Sequence, residues 1–320
     1  MSSRSRQRLR TVVIGLGVQG RKRRRVAQGD VVATVDPHNT DADVRTLAEV
    51  PPEDFDAAMV CTPDDAKPVL VADLLERGKH VLVEKPLLAD TATLRDFKRL
   101  AKENGAVCYT AYNHRFEPHI VRLKKAAENG ALGRLYLARF FYGNGTARDV
   151  RDSPWRDKDG GVLGDLGSHL LDLALFLFGP VEAPFLLFSS NRFENKALDH
   201  VSFGTPATAD DTPVLEMEAT LVSWRNSFGA DLYGEKGSAH VESLCKWGPS
   251  RFILRTRVLP SGPPAEDIIE LEEPDPTWET EYRHFKSLCA AGSGDGLDKD
   301  IWIAATLDAL RDQVAGDPGP

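Results

Sequence analysis

The sequence predicts an α/β protein with two domains, a doubly wound N-terminal domain and a C-terminal α+β domain with a large, mostly antiparallel open sheet. The first observation is length, because 320 residues exceed what one ordinary hydrophobic core holds. The second is that β-branched runs alternate with helix-length segments up to Pro118, which is typical of a parallel sheet. The third is that extended segments with period-2 alternation dominate after Pro118, which indicates antiparallel pairing. We therefore place the domains at residues 1–117 and 118–320, with a last helix that is able to pack back on the first domain.

The composition argues against several classes of protein. The 48 acidic and 40 basic residues make the chain mildly acidic, so nucleic acid is not an expected partner. No run of about 18 apolar residues is present, so we expect no membrane partner. The four cysteines lack the spacing of ligands, so we expect no metal site. The first ten residues are basic and polar without the apolar stretch of a signal peptide, and we expect a cytoplasmic protein.

The N-terminal domain begins with a β-branched run that leads into a glycine-rich turn. Residues 10–20 are RTVVIGLGVQG, and a helix-length segment follows. In this strand–turn–helix context, backbone amides and the helix dipole hold a pyrophosphate, which is typical of a Rossmann dinucleotide-binding domain. The predicted cofactor contacts in this turn are Gly15, Leu16, Gly17, Val18, Gln19 and Gly20.

Two features bear on the choice between NAD and NADP. The second predicted strand, residues 31–35, ends at Asp36, whose carboxylate would accept hydrogen bonds from the adenosine ribose and repel a 2′-phosphate. Asp36 therefore predicts NAD. Five consecutive basic residues, 21–25, precede this strand, and we interpret them as a solvated helix face with long stems over the sheet. Phosphate binding and nuclear targeting stay open as alternatives for this run, and an arginine that reached the ribose would favour NADP.

Three further strands of the first domain each end at a polar motif. Residues 55–61 lead into Thr62-Pro63, residues 79–83 into Glu84-Lys85-Pro86, and residues 106–112 into Asn113-His114-Arg115. Asp64 and Asp90 are predicted to cap the helices that follow the first two motifs. Because the strand ends of a doubly wound sheet face one crevice, we expect the polar motifs to line that crevice.

The second domain is predicted to contain a helix at residues 119–129, a long strand at 134–142 and a series of shorter strands. These are residues 181–189, 214–223, 227–233, 239–244, 252–259 and 267–271. Residues 191–211 lack a clear pattern and are predicted to form a loop. Two helices, residues 277–290 and 298–314, are predicted to close the chain.

Residues 160–179, GGVLGDLGSHLLDLALFLFG, are predicted to form one helix with two different faces. At about 100° per residue, the leucines share one side. The other side carries Asp165, Ser168, His169 and Asp172. A polar stripe on an otherwise apolar helix is costly unless it faces partners or a wet cleft, so we take it as a candidate active site. The alternative is that Asp165 and His169 form a structural hydrogen-bonded pair.

Taken together, the motifs resemble the Gfo/Idh/MocA family, which is named after glucose–fructose oxidoreductase, inositol dehydrogenase and rhizopine catabolism. The resemblance rests on GLGVQG at 15–20, CTP at 61–63, GKHVLVEKP at 78–86, YNHRFEP at 112–118 and GGVLGDLGSHLLD at 160–172. It implies an NAD(P)-dependent dehydrogenase or reductase that acts on a CH–OH group of a sugar, cyclitol or nucleotide sugar. It also implies a homodimer or homotetramer and, often, a cis Lys85–Pro86 bond. Further cofactor contacts are expected from Cys61, Thr62, Pro63, Glu84, Lys85 and Asn113.

The resemblance places Lys85, Asp165 and His169 at the chemistry, and elementary chemistry supports those roles. Removing hydride from a secondary alcohol requires the hydroxyl proton to leave, and histidine, with a reference pKa of about 6.5, is a suitable acceptor at neutral pH. We assign His169 as the general base. Lys85 is expected to donate a hydrogen bond to the same oxygen. Asp165 either orients the imidazole or holds a neighbouring hydroxyl.

The predicted substrate contacts are Lys85, Arg115, Trp155, Arg156, Asp165 and His169. An aromatic face beside a guanidinium, as in Trp155-Arg156, suits a polyhydroxylated ring with an anionic substituent. We interpret His114 and His119 as structural. Lys67 departs from the family, which commonly has histidine at this position, and this departure implies an altered substrate or a changed helix contact.

Two other functions stay open. A catalytically inactive, cofactor-sensing regulator of the same fold has no need to keep Lys85, Asp165 and His169 together, and this chain has all three. An NADP-linked ketoreductase of nucleotide sugars is favoured if arginines from residues 21–25 reach the ribose.

Overall fold

The computed structural model describes residues 8–153, 156–158, 160–206, 212–292 and 297–316. The chain divides into two compact units. The first comprises Met1–Asn113 and Thr277–Ala304, and the second comprises His114–Pro276 and Ala305–Pro320. The first break therefore falls at residue 113 instead of 117, and the chain changes unit again after residues 276 and 304. Trp155, a predicted substrate contact, lies outside the described residues.

The first unit contains a parallel sheet of five described strands. These are β1 (Thr11–Ile14), β2 (Val31–Val35), β3 (Ala57–Val60), β4 (His80–Glu84) and β5 (Cys108–Ala111), in the order β2-β1-β3-β4-β5. The helices α1 (Val18–Ala27), α2 (Lys67–Glu76) and α3 (Thr91–Glu103) connect them. This is the doubly wound Rossmann arrangement, and the predicted fold class of this unit is confirmed.

Hydrophobic side chains cover both faces of this sheet, as expected when connections cross on both sides of it. Val12, Val60 and Val83 belong to one core cluster. Met59 and Leu82 belong to another, together with Phe285 from the C-terminal part of the chain. The strands are therefore buried and well packed, and this packing fixes the positions of the motifs that follow them.

The two predicted helix caps have different outcomes. The Asp90 carboxylate accepts a hydrogen bond from the backbone N–H of Thr93, so this cap is confirmed. The Asp64 prediction is wrong, because α2 begins at Lys67 and the Asp64 carboxylate pairs with the Lys67 ammonium at 2.7 Å. The Asp64 carboxylate therefore binds the side chain of Lys67 and does not cap the helix.

The second unit contains a mostly antiparallel sheet of eight described strands. These are β6 (Leu135–Gly143), β7 (Leu186–Asn191), β8 (His200–Gly204), β9 (Val214–Thr220), β10 (Ser227–Gly234), β11 (Gly237–Glu242), β12 (Ser250–Thr256) and β13 (Ala265–Leu271). Their order is β13-β12-β11-β10-β6-β9-β8-β7. β6 and β9 pair in parallel, and the other neighbours pair antiparallel. The predicted class of this domain is confirmed.

The prediction of a loop over residues 191–211 is wrong, because β8 lies within that range and pairs with both β7 and β9. Val201 and Phe203 are buried and Ser202 between them is not, so the period-2 pattern exists but covers few residues. A five-residue strand gives a weak signal.

Three helices accompany this sheet: α4 (Pro118–Glu128), α5 (Ala147–Arg151) and α6 (Ser168–Phe178). A π-helical turn, Leu163–Gly167, leads directly into α6, so the predicted helix is not one regular α-helix. Ser168, His169 and Asp172 are buried, as are Leu170, Leu171, Leu173 and Leu177. These three polar side chains therefore face protein partners, whereas Asp165 is partly exposed.

Two helices end the chain, α7 (Thr277–Ala291) and α8 (Asp298–Gly316). α7 belongs to the first unit, and α8 begins in the first unit and ends in the second. Among the described residues, no helix combines the length and the apolar character that crossing a membrane requires.

Candidate active site

The glycine-rich turn between β1 and α1 has a backbone path that requires glycine. Gly15 has φ +90°, and a Cβ there would lie 2.7 Å from the carbonyl oxygen of Cys61. A Cβ on Gly20 would lie 1.8 Å from the carbonyl oxygen of Gly15. At Gly17, by contrast, a Cβ would meet no described atom within 4 Å. The turn is therefore packed closely against neighbouring backbone at Gly15 and Gly20, and it has free space at Gly17.

The start of α1 fits a pyrophosphate. No described side chain caps the helix at Gly17, and its first turn carries no acidic residue. A helix N-terminus of this kind presents backbone N–H groups and a positive dipole end to an anion. The Thr62 hydroxyl, after β3, is buried and has no hydrogen-bond partner among the described residues, as expected of a group that would meet a ligand.

Asp36 is held by backbone donors at the end of β2. Its Oδ2 accepts from the N–H of Leu16 at 2.7 Å, and its Oδ1 accepts from the N–H groups of His38 and Asn39 at 2.9 Å each. Partial burial acts to raise the pKa of Asp36, but these hydrogen bonds outweigh it and hold the pKa below its usual value. The charged carboxylate therefore fixes the glycine-rich turn. Three donors leave acceptor capacity for a ribose hydroxyl.

The basic run of α1 is only partly a solvated face. Arg21, Arg24 and Arg25 are exposed and line a groove of about 680 Å³, together with Asp41 and Asp43. The Arg21 guanidinium lies 3.9 Å from the Asp41 carboxylate. These arginines are thus accompanied by carboxylates in the same groove.

For Arg23 the predicted solvated position is wrong. Its side chain is 1% exposed and forms ion pairs with Glu84 at 2.6 Å and Glu281 at 2.7 Å. It also lies over the Trp278 ring, 4.3 Å from the centroid. Both carboxylates are buried as well, so the three charges form one interior cluster. Burial raises the pKa of Glu281 to about 7, although Arg23 acts to lower it.

Lys85 lies between two anchored residues. The Glu84 carboxylate, which was expected to contact the cofactor, is bound by Arg23. The carbonyl oxygen of Pro86 accepts a hydrogen bond from Lys67 at 2.9 Å, and the Lys85–Pro86 bond is cis. Lys67, the residue that departs from the family pattern, is 2% exposed. Through this hydrogen bond it supports the segment that follows Lys85. Burial lowers the pKa of Lys67, against the opposing effect of Asp64.

Asn113, after β5, is another predicted cofactor contact. Its side-chain amide donates to the Thr277 hydroxyl at 2.8 Å, at the start of α7. Its place at a strand end agrees with the expected edge of the sheet, and a cofactor contact by Asn113 stays a prediction.

In the second unit, His169 lies in an aromatic cluster. Its imidazole stacks on that of His114 with centroids 4.1 Å apart and planes 19° apart. The Tyr142 ring lies 5.7 Å from His169, and Phe228 packs against both Tyr142 and His114. His114, which we interpreted as structural, is thus a direct neighbour of the proposed base. Nε2 of His119 donates a hydrogen bond to the carbonyl oxygen of Ser250, 3.2 Å away, in the interior.

The charged residues around His169 are paired. Arg115 and Asp172 form a bidentate ion pair, with Nε 2.9 and 2.8 Å from the two carboxylate oxygens, and Asp172 is 1% exposed. Arg156 lies 3.7 Å from Asp165. The two arginines that were predicted to contact the substrate therefore each lie beside an aspartate, Arg156 beside Asp165 and Arg115 beside Asp172. Substrate contacts by Arg115 and Arg156 stay predictions.

The sequence did not indicate Lys246 as a site residue, yet its ammonium lies 3.1 Å from the Tyr142 hydroxyl and 3.4 Å from Nε2 of His114. Lys246 follows β11, in a short 3₁₀ turn, Cys245–Trp247. Neither a motif nor a spacing connects it to residues 112–118 or 160–172. Tertiary packing within the second unit brings these segments together.

Two family models match the chain. The model of an oxidoreductase family with an NAD-binding Rossmann fold matches residues 9–112, and that of the GFO/IDH/MocA C-terminal domain matches residues 120–240. Together they span more than half of the chain. The protein belongs to the GFO/IDH/MocA oxidoreductase family, and it carries that family's NAD-binding Rossmann domain.

Relatives and solved structures agree with this assignment. Inositol 2-dehydrogenase of Rhizobium meliloti is 27% identical over 208 residues, 63% of this chain and 62% of the relative. Levoglucosan dehydrogenase of Pseudarthrobacter phenanthrenivorans is 30% identical over 151 residues, 45% of this chain and 38% of the relative. The matches thus cover less than two thirds of these relatives. A solved levoglucosan dehydrogenase in complex with NADH has the same fold, with a TM-score of 0.82 over 97% of this chain and 98% of its own, at 19% identity.

Proposed function

We propose that the protein is an NAD-dependent dehydrogenase that oxidises a secondary hydroxyl of a sugar or cyclitol to the ketone, or catalyses the reverse reduction. The observation that carries the proposal is the imidazole of His169, buried in an aromatic cluster one helical turn after Asp165. Family membership and the names of the relatives, an inositol and a levoglucosan dehydrogenase, support the reaction class.

In the proposed reaction, the C–H bond of the carbinol breaks as its hydride leaves, and the O–H bond breaks as its proton leaves. NAD, when bound, supplies the hydride acceptor. His169 accepts the hydroxyl proton, which is worth typically about 10²–10⁴ in rate. Lys85 donates a hydrogen bond to the same oxygen and stabilises its alkoxide character. Asp165 holds a neighbouring hydroxyl or orients the imidazole.

The residues that would hold the cofactor are those of the first unit. The turn at residues 15–20 would bind the pyrophosphate, and Asp36 would accept from the adenosine ribose. The NADP-linked ketoreductase is less well supported, because Arg23 is paired with two buried carboxylates and Arg21 faces Asp41. An inactive regulator is less well supported because Lys85, Asp165 and His169 are all present.

We also propose that two or four copies assemble through the open face of the second sheet. Arg139 pairs with Glu216 on that face, and His240 bonds Asp231 at 2.7 Å. In a two-fold dimer the same surface of both copies meets, and an open sheet face can serve as such a surface. Light scattering should give a dimer or tetramer at micromolar concentration, and a monomer would remove this proposal.

The function is tested by mixing the protein with NAD and a panel of sugars, cyclitols and sugar acids while NADH absorbance is followed. At least one member should give NADH at a rate that His169→Ala lowers by roughly 10² or more. The absence of NADH with every member, in the forward and the reverse direction, would contradict the proposal.

A further inference from the structure

We infer that the substrate carries a carboxylate, which is bound by the ammonium of Lys246 and the hydroxyl of Tyr142 in the second unit. The inference rests on the proposed function, because it takes His169 as the residue at the reacting hydroxyl. The substrate class is then a sugar acid or cyclitol acid instead of a neutral sugar.

The first support is the position of Lys246 relative to His169. The Lys246 ammonium contacts both Tyr142 and His114, at 3.1 and 3.4 Å, and both rings pack on the His169 imidazole. The cation is thus one side chain away from the proposed base. A small polyhydroxylated molecule with its reacting hydroxyl at His169 would reach the ammonium with another of its substituents.

The second support is that the turn carrying Lys246 is anchored. The buried Glu117 carboxylate accepts from the backbone N–H of Cys245 at 3.1 Å and from its thiol at 2.9 Å. Cys245 is itself buried, while Lys246 is exposed. The backbone of this turn is therefore fixed, and the Lys246 side chain reaches the surface.

The third support is the pair of donors that Lys246 and Tyr142 form. Burial raises the pKa of Tyr142, so its hydroxyl keeps its proton and can donate to an anion. An ammonium beside a phenol O–H offers one donor to each oxygen of a carboxylate, and hydrogen bonds that involve a charge are about twice as strong as neutral ones.

The Lys246 ammonium also lies beside an aromatic ring. The Lys246 ammonium lies 4.7 Å from the centre of the Trp247 ring, so it sits beside a low-polarity surface where a charge pair is stronger than in water. Burial raises the pKa of Glu117, against the opposing effect of its hydrogen bonds from Cys245. Asp165 has Arg156 3.7 Å away.

The test compares matched acids and neutral sugars in the wild-type protein and in Lys246→Met. D-glucuronate and D-galacturonate are paired with D-glucose and D-galactose, myo-inositol is added as a neutral cyclitol, and glucose 6-phosphate as a phosphate. In the wild type, kcat/KM should be at least tenfold higher for an acid than for its neutral partner. Lys246→Met should raise KM for the acid by roughly 10- to 100-fold, the worth of one charge-assisted hydrogen bond, with kcat changed only a few-fold.

Three further variants separate this role from a structural one. Lys246→Arg keeps the charge and should retain most of the preference for acids. Tyr142→Phe keeps the ring, removes the hydroxyl and should lower the preference in part. Lys236→Met removes one exposed charge from the β10–β11 turn and should leave KM unchanged.

The outcomes for the inference and for the proposed function differ. Turnover of neutral sugars at least as fast as their acids, or an acid KM unaffected by Lys246→Met, would overturn the inference and leave the dehydrogenase intact. A preference for glucose 6-phosphate that is lost in Lys246→Met would also overturn the carboxylate assignment. NADH formation with no member of the panel would contradict both.

Discussion

The buried ammonium of Lys67 donates a hydrogen bond to the carbonyl oxygen of Pro86, 2.9 Å away. On the other side of Lys85, the buried Arg23 binds the Glu84 carboxylate at 2.6 Å. Two interior cations therefore hold the residues before and after the proposed catalytic lysine. Both belong to the first unit, so the position of the Lys85 backbone is set within the domain that would bind the cofactor.

Lys67→Met should lower turnover by about 10- to 100-fold, because small displacements of a catalytic group are costly in rate. NADH binding, measured by fluorescence titration, should change only a few-fold. Lys67→His restores the residue that the family commonly has and should recover part of the rate. Lys98→Met, on an exposed part of α3, is the control for the loss of one charge. Full turnover in Lys67→Met would show that the Pro86 hydrogen bond does not position Lys85.

Arg23→Met should destabilise the first unit by about 3–5 kcal/mol, because it leaves the buried carboxylates of Glu84 and Glu281 without their cation. Arg24→Met, at the next position of α1, removes an exposed charge and should change the free energy of unfolding by less than about 0.5 kcal/mol. Urea denaturation of both variants makes the comparison. Equal stabilities would mean that the interior cluster contributes nothing.

The raised pKa of Glu281 predicts a pH dependence of stability. Its folded-state pKa of about 7 lies above the ordinary carboxyl value of 4.5, so the folded state binds the proton more tightly than the unfolded state. This contribution is fully present below about pH 4.5 and is lost as pH rises through about 7. Between about pH 5.5 and pH 8, the wild type should lose about 2 kcal/mol relative to Glu281→Gln. If the free energies of unfolding of the two proteins changed equally with pH across this range, the raised pKa assigned to Glu281 would be contradicted.

Asp36→Ala should weaken NADH binding by about tenfold or more, since it removes both the proposed ribose acceptor and the acceptor for the Leu16 N–H. NADPH binding should weaken less or improve, because the repulsion of the 2′-phosphate disappears. Asp96→Ala, at an exposed position of α3, is the matched control and should alter neither affinity greatly. Tighter binding of NADPH than NADH by the wild-type protein would reverse the cofactor preference.

The first unit was largely predictable because its signals are local. Strands of β-branched residues, a turn in which Gly15 and Gly20 have no substitute, and the Asp90 cap each depend on a few neighbouring residues. The same locality explains the failure at Arg23. Five basic residues in a row resemble a solvated face, and the burial of Arg23 depends on Glu281, far along the chain.

In the second unit, the features that the sequence did not predict depend on tertiary packing. The polar stripe of residues 160–172 was found by its spacing, but the π-helical turn and the Arg115–Asp172 ion pair were not, because both depend on the packing of other elements. Lys246 lies in a turn whose sequence, Cys-Lys-Trp, resembles no motif. Its role comes from the pairing of β6, β10 and β11, which periodicity alone does not define.

The central claim is that Lys85 and His169 act on the same substrate oxygen, and a double-mutant cycle on turnover tests it most directly. Lys85→Met and His169→Ala should each lower kcat by roughly 10² or more while NADH affinity stays within a few-fold, because each group stabilises mainly the transition state. The double variant should lose far less than the product of the two single losses, since groups that act as a unit are not additive. A His169→Ala protein that melts normally and retains nearly the original rate, or losses that multiply in full, would contradict the account.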